Sequence, residues 1–367
     1  MKIPFVDVKK QYFSIKKEID LAVLKVLESG NYIMGKEVSA FEKQFASYHN
    51  VKYCSGVSSG TDAVHLALWS LGIKSGDEVI IPANTFIATA WGATLCGAKP
   101  VFVDCESDSY NIDAEKIQSA ITKRTKAIIA VHLYGQPANL SAIKKVCKEN
   151  SLFLIEDAAQ AHLAEYKNKK VGTFGDISLF SFYPGKNLGA YGEAGAVITN
   201  NKNLDAKVKL LRNHGSERKY YHKTLGHNYR MEEIQAAVLN VKMKYIKRLT
   251  EKRRTIAKIF NSEFNGIGDL FLPKEKPYAK HVYHLYVIQS SARNELAAFL
   301  NRRDIQTGLH YPLPLHLQEC FKHLGYKKGN FKVTESLADC CLSLPIYPEM
   351  TESQIDFLIT QIRKFYN

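Results

Sequence analysis

Leu154-Ile-Glu-Asp-Ala-Ala-Gln-Ala-His162 and Ser181-Phe-Tyr-Pro-Gly-Lys-Asn-Leu-Gly-Ala-Tyr-Gly-Glu-Ala-Gly195 are the stretches on which the reading of this 367-residue chain turns. In the first, Asp157 follows the apolar run Phe153–Glu156 and so stands at the carboxyl end of a buried strand. In the second, Lys186 sits in a glycine-rich loop, five residues after the hydroxyl of Ser181. An amine to hold an aldehyde, a carboxylate to keep a ring nitrogen protonated and donors for a phosphate fit one cofactor, pyridoxal 5'-phosphate.

Working outward, strand-like runs alternate with helical patterns. Val51–Ser55, Glu78–Pro82, Pro100–Val103, Lys126–His132 and Phe153–Glu156 are separated by helical stretches at Gly60–Leu71, Thr85–Cys96, Asp113–Ile121 and Asn139–Asn150. Strands apolar on both faces and interleaved with helices predict an α/β fold with a mainly parallel central sheet flanked by helices. Two further strands, Ile177–Phe182 and Ala194–Thr199, flank the lysine loop. One long helix is expected from Met231 towards Phe264, leading into a smaller C-terminal α+β domain with a strand at His284–Gln289 and helices at Ala292–Arg303 and Thr351–Phe365. Residues 1–240, with an N-terminal helical segment, form the expected large domain and residues 241–367 the smaller one.

Composition narrows the class. A 46% hydrophobic fraction argues for an ordered globular chain rather than disorder. Seven scattered cysteines without CxxC pairing indicate neither a zinc site nor a disulfide framework, so no metal is expected and a reducing cytoplasm is the natural compartment. Cys340-Cys341 reads as a pair of small apolar side chains. No apolar run reaches the length of a membrane span, and the first residues lack a signal-peptide pattern, so no membrane association is expected. The net charge of +14 raises nucleic acid as a partner. However, the basic residues from Lys242 to Arg254 alternate with Met243, Tyr245, Ile246 and Leu249 as the wet face of an amphipathic helix would, and no nucleic-acid motif accompanies them.

Sheets of this kind collect ligands at the carboxyl ends of their strands, where Asp157 and Ser59-Gly60-Thr61-Asp62 both fall. Gly60 lets backbone approach an anion and Thr61 offers N–H and hydroxyl donors at a helix start; alone, the same residues would be an ordinary helix cap. Gln160 would donate to the ring oxygen of the cofactor, and Phe86, opening the helix after another strand, would stack on the ring. Glu156 points the other way and reads as structural. His162 reads as a satisfied core histidine.

In order along the chain, Gly30-Asn-Tyr-Ile-Met-Gly35, Ser59-Gly-Thr-Asp62, Pro82-Ala-Asn-Thr-Phe86, Glu156-Asp-Ala-Ala-Gln160, the lysine loop and Asn228-Tyr-Arg-Met-Glu-Glu-Ile-Gln-Ala-Ala237 resemble the DegT/DnrJ sugar-nucleotide aminotransferases, within the fold type I class of pyridoxal phosphate enzymes. The resemblance runs essentially from Ile3 to the C-terminal helix. It implies that Lys186 carries the cofactor, that Asp157 pairs with its pyridine nitrogen, and that Gln160 contacts the ring hydroxyl. It also implies that Phe86 stacks on the ring, that Gly60, Thr61 and Ser181 hold the phosphate, and that Asn228 reaches that phosphate from the neighbouring subunit of a homodimer. Relatives with histidine in place of the lysine perform deoxygenation; this chain keeps lysine, which implies transamination from L-glutamate.

The Tyr183-Pro-Gly-Lys-Asn-Leu-Gly-Ala190 version of the loop resembles members that aminate a 3-keto-6-deoxyhexose on a dTDP carrier to give a 3-amino-3,6-dideoxyhexose; relatives acting on 4-keto sugars more often carry histidine at the tyrosine position. The resemblance therefore implies a place in deoxyamino sugar biosynthesis, such as that of a surface polysaccharide. Within His310-Tyr-Pro-Leu-Pro-Leu-His316, His310 and Tyr311 stand as sugar contacts or as parts of a proline-stiffened loop. Arg230 would bind the donor carboxylate or ion-pair across a dimer. A 4-keto substrate and a non-catalytic regulator that binds the cofactor are the alternatives.

Overall fold

The computed structural model describes residues 1–367. Seven strands form the central sheet: β1 (Tyr53–Val57), β2 (Glu78–Pro82), β3 (Lys99–Val103), β4 (Thr125–Val131), β5 (Phe153–Asp157), β6 (Ile177–Ser181) and β7 (Gly195–Thr199). Their order across the sheet is β1-β7-β6-β5-β4-β2-β3. Only β7 runs against its neighbours; the pairs β2–β3, β2–β4, β4–β5 and β5–β6 are parallel.

Alternation along these strands builds a core on each face. Ile80, Ile128, Leu154 and Phe180 enter one cluster, while Val79, Ile81, Ile129, Ile155 and Leu179 enter the other. Being apolar on both faces is what a sheet covered by helices on both sides requires. The expected strands and helices appear within a few residues of their predicted ends. Fraying and turn closure account for such differences, as where the helix after β2 begins at Ala88, past Phe86.

The single helix expected over Met231–Phe264 is two helices, Glu233–Met243 and Ile246–Glu263. The ladder breaks because the N–H groups of Lys244 and Tyr245 turn to the carbonyls of Val241 and Lys242, three residues back. That break lets both Met243 and Ile246 reach the core. The reading of Lys242 to Arg254 as a wet face is also corrected at two positions. Lys242 is 2% and Arg253 5% exposed. Lys242 Nζ donates to the Gly189 carbonyl at 2.7 Å over the ring of Tyr191, an arrangement that hydropathy spacing does not register.

The C-terminal unit is an antiparallel pair, β8 (Tyr286–Gln289) and β9 (Cys341–Leu344), packed on the helices Ile246–Glu263, Arg293–Asn301 and Glu352–Tyr366. Ile3 bridges Ile305 and is buried in this same core, which ties the first residues of the chain to its last third. Cys340 is half-buried, Cys341 is buried, and all seven cysteines are free. No helix is long and apolar enough to cross a membrane.

Candidate active site

The carboxyl ends of β1, β5 and β6 meet beside the amino end of β7. Gly195 opposes Val57 on one side and Ser181 on the other. A Cβ on Gly195 would sit 2.4 Å from the Ser59 carbonyl oxygen, so the turn after β1 can cross this edge only over a glycine. That turn opens the helix Gly60–Ser70, where Ser59 caps by accepting from the Asp62 N–H at 3.0 Å. The Ser58 and Ser59 hydroxyls donate to Asp62 Oδ2, which fixes the cap and leaves the first N–H groups of the helix facing out. Gly60 lies so close to β6 that a Cβ there would be 2.5 Å from Ser181 Cβ.

Two neighbouring carboxylates on β5 have opposite surroundings. Glu156, fully buried on one face, accepts from the N–H groups of Gly172, Phe174 and Gly175 and pairs with His132 Nε2 at 3.0 Å. Burial alone would raise its pKa, but the His132 bond and these N–H groups more than offset it and hold it low. Asp157, 6% exposed on the other face, accepts only from Thr89 Oγ1 at 2.8 Å and the Ala159 N–H at 3.1 Å. Burial therefore raises its pKa, with Lys186 opposing from across the cavity. Asp157 takes part in no salt bridge.

Lys186 is half-buried, and its Nζ makes no hydrogen bond within the chain. Burial lowers its pKa to about 8, against the pull of Asp157. The loop that presents it curls tightly: its N–H donates to the Tyr183 carbonyl at 2.8 Å, and a Cβ on Gly189 would meet the Pro184 carbonyl at 2.4 Å.

These groups face a single cavity of about 610 Å³. Gly60, Thr61, Phe86, Asp157, Gln160, Ser181, Tyr183, Lys186, His310 and Tyr311 all line it. Gln160 is fixed at both ends: its Oε1 accepts from the Tyr134 N–H at 2.7 Å, and its Nε2 donates to the Tyr311 hydroxyl at 3.0 Å. Tyr311 also lies against Phe86, with ring centroids 5.8 Å apart. His310 stacks on Phe5 and contacts Ser343 Oγ through Nδ1, so it belongs to the wall rather than to an exposed loop.

Asn228 and Arg230 lie outside this cavity. Asn228 is exposed, and Arg230 donates to Asn228 Oδ1 and Asn213 Oδ1. His162 is buried against Phe180 and Phe182 with no hydrogen-bond partner for either ring nitrogen. It is a core histidine, and burial holds its ring neutral.

Sequence reasoning missed Thr89, Tyr134, His284, Arg253 and Phe5. The first could have been sought one helical turn after Thr85. Tyr134 holds Gln160 through a left-handed backbone (φ 58°) that no sequence pattern announces. The site has what pyridoxal phosphate demands of its holder: an unbonded amine, a buried carboxylate lacking a cation, and a glycine-lined gap beside Ser181 that a Cβ would fill.

The profile of the DegT/DnrJ/EryC1/StrS aminotransferase family matches residues 13–363. The chain is 45% identical to a protein of Geobacillus stearothermophilus named pleiotropic regulatory protein, over 100% of this chain and 99% of the other. It is 41% identical to the dTDP-3-amino-3,6-dideoxy-alpha-D-galactopyranose transaminase of Aneurinibacillus thermoaerophilus, over 99% of both. Other relatives are named for further sugar nucleotides, a UDP-linked one among them. Among solved structures, DesV of S. venezuelae in complex with a ketimine intermediate superimposes with a TM-score of 0.98 at 39% identity, covering 100% of this chain and 99% of that one.

Proposed function

The chain belongs to the DegT/DnrJ/EryC1/StrS aminotransferase family and is a pyridoxal phosphate-dependent sugar-nucleotide aminotransferase, and from that membership we propose that it moves the amino group of L-glutamate onto C3 of a dTDP-linked 3-keto-6-deoxyhexose. The observation that carries this reading is the placement of Lys186 and Asp157 on one cavity, the amine unbonded and the carboxylate without a cation. When bound, the cofactor supplies an aldehyde that captures amines and a protonated ring that accepts electrons.

Each residue then has a defined task. Asp157, on the rigid end of β5, holds a negative charge where the ring nitrogen must stay protonated. Gly60, Thr61 and Ser181 offer the helix start and a hydroxyl to the phosphate. Phe86 would pack on the cofactor ring and Gln160 would face its ring oxygen. Lys186 would hold the aldehyde and, when its amine is free, would move a proton at Nζ. A pKa near 8 leaves both of its protonation states accessible near neutral pH.

Asn228 and Arg230 fit a homodimer in which each copy completes the other's site. Asn228 would then reach the phosphate of the partner's cofactor. The exposed apolar residues Phe13, Leu21, Leu24, Trp91 and Leu95 supply surface for such an interface.

Tyr183 and the Asn187-Leu-Gly-Ala190 segment support amination at C3, as does the likeness to a 3-amino-3,6-dideoxyhexose transaminase. The name of the Geobacillus relative favours a regulator as the second reading, which would leave the lysine and its partners idle. Incubating the purified protein with L-glutamate and dTDP- or UDP-linked 3-keto and 4-keto sugars, then identifying products by NMR, decides between them. A dTDP-3-amino-3,6-dideoxyhexose is the expected product. A 4-amino sugar, a UDP-linked product or no amino sugar would each overturn the proposal.

A further inference from the structure

Arg253 is a buried charge without an ion-pair partner. It sits on the helix Ile246–Glu263, 5% exposed, and its Nη1 donates to the carbonyls of Ile346 at 2.6 Å, His284 at 3.4 Å and Tyr283 at 3.5 Å. The carboxylate whose charge acts on it, Glu349, lies beyond ion-pair distance and is itself pushed towards its neutral form by burial. A guanidinium carries five donors, and here Nε and Nη2 make no hydrogen bond. Neither is among the sealed, unpartnered polar atoms, so both keep open surface. Those two nitrogens form the side-on fork that pairs with a carboxylate through two parallel bonds.

Arg253 and Lys186 both line the cavity described above, and they are the only Lys or Arg side chains that do. His284 also lines it, and after burial the charges of Lys186 and then Arg253 are the main influences holding its ring neutral. Both cations therefore lie near one imidazole. Arg230, the cation that sequence reading put forward, instead lies outside the cavity and is engaged with Asn213 and Asn228.

We infer that Arg253 anchors a carboxylate of the amino-acid donor while the donor's amine meets the position served by Lys186. The inference rests on the amine-transfer reading above. The carboxylate, not a nucleotide diphosphate, is assigned because an α-carboxylate is bonded to the carbon that bears the reacting amine. A diphosphate on C1 is set off from the reacting C3 by C2, C1 and the glycosidic oxygen.

The test compares wild type, R253K and R253Q, each loaded with pyridoxal phosphate. Calorimetry measures 2-oxoglutarate binding, cofactor absorbance measures half-saturation by L-glutamate, and equilibrium dialysis measures cofactor affinity. Loss of a charged bidentate pair is expected to weaken 2-oxoglutarate and L-glutamate about ten- to a hundredfold in R253Q, with cofactor affinity changed less than about twofold. A simple primary amine lacking a carboxylate should react equally well with wild type and variants. If R253Q fails to fold or load, R253K decides, since its ammonium keeps a donor for the carbonyls but loses the fork. Weakened dicarboxylate binding in R253K supports the assignment. Unchanged dicarboxylate binding in the loaded variants would make Arg253 a clamp on backbone carbonyls only. A wild type that ignores glutamate altogether would overturn the amine-transfer reading, and this inference with it.

Discussion

The Thr89 hydroxyl donates to Asp157 Oδ2 across 2.8 Å, and Thr85 Oγ1 lies 3.1 Å behind it. Thr89 has one proton and directs it to the carboxylate, so Thr85 must donate to Thr89. The result is a two-hydroxyl relay that aims Asp157 into the cavity. Thr89→Val removes a donor from a buried carboxylate and pushes its pKa further up. Cofactor affinity measured by dialysis is expected to fall about tenfold, with Thr89→Ser near wild type. Equal affinities for the valine and serine variants would contradict the relay.

Gly60 and Ser181 touch where the phosphate is proposed to lie. Gly60→Ala places a methyl 2.5 Å from Ser181 Cβ, so either the helix start or β6 must shift. Cofactor binding is expected to weaken at least tenfold, and Ser181→Gly in the same chain should recover part of the loss in thermal stability. No recovery would place the strain elsewhere.

Glu156 and Asp157 should respond differently to loss of charge. Glu156→Ala strands the N–H groups of Gly172, Phe174 and Gly175 together with His132, and a destabilisation of about 3 kcal/mol is expected from denaturant unfolding. Asp157→Asn keeps most of its contacts, so unfolding should change little while transamination is lost. Similar unfolding midpoints for the two variants would contradict the division of roles.

Lys186 gives the cofactor-free protein a pH signature. Its pKa is about 8 when folded, against about 10.4 for a free lysine. Between those values the unfolded chain binds more protons, so this residue's penalty is full below about pH 8 and fades as pH rises to about 10.4. The neutral variant Lys186→Met should therefore be more stable than wild type at pH 7, with the difference closing towards pH 10. A difference independent of pH would contradict a depressed lysine.

How much of this was legible in the sequence follows from what periodicity can carry. The strands β1 to β7 and the helices between them were readable because a two-sided core demands apolar runs. Asp157 was readable because it ends an apolar strand run, and Lys186 because it stands in the glycine-rich loop between two strands, downstream of Asp157 and Gln160. Arg253 and Lys242 were not, because their heads turn inward to backbone carbonyls from positions that look solvated by spacing. The break at Lys244 and Tyr245 also escaped, since both residues suit a helix and only tertiary packing of Met243 and Ile246 interrupts it. Thr89 escaped because its partner is 68 residues away.

The most direct measurement follows the visible absorbance of the cofactor-loaded protein when L-glutamate is added, in wild type and Lys186→Ala. Wild type should lose that absorbance as the amino group is transferred, while Lys186→Ala should bind cofactor weakly and show no glutamate-driven change. A Lys186→Ala protein that still converts its cofactor with glutamate at the wild-type rate would contradict the assignment of Lys186.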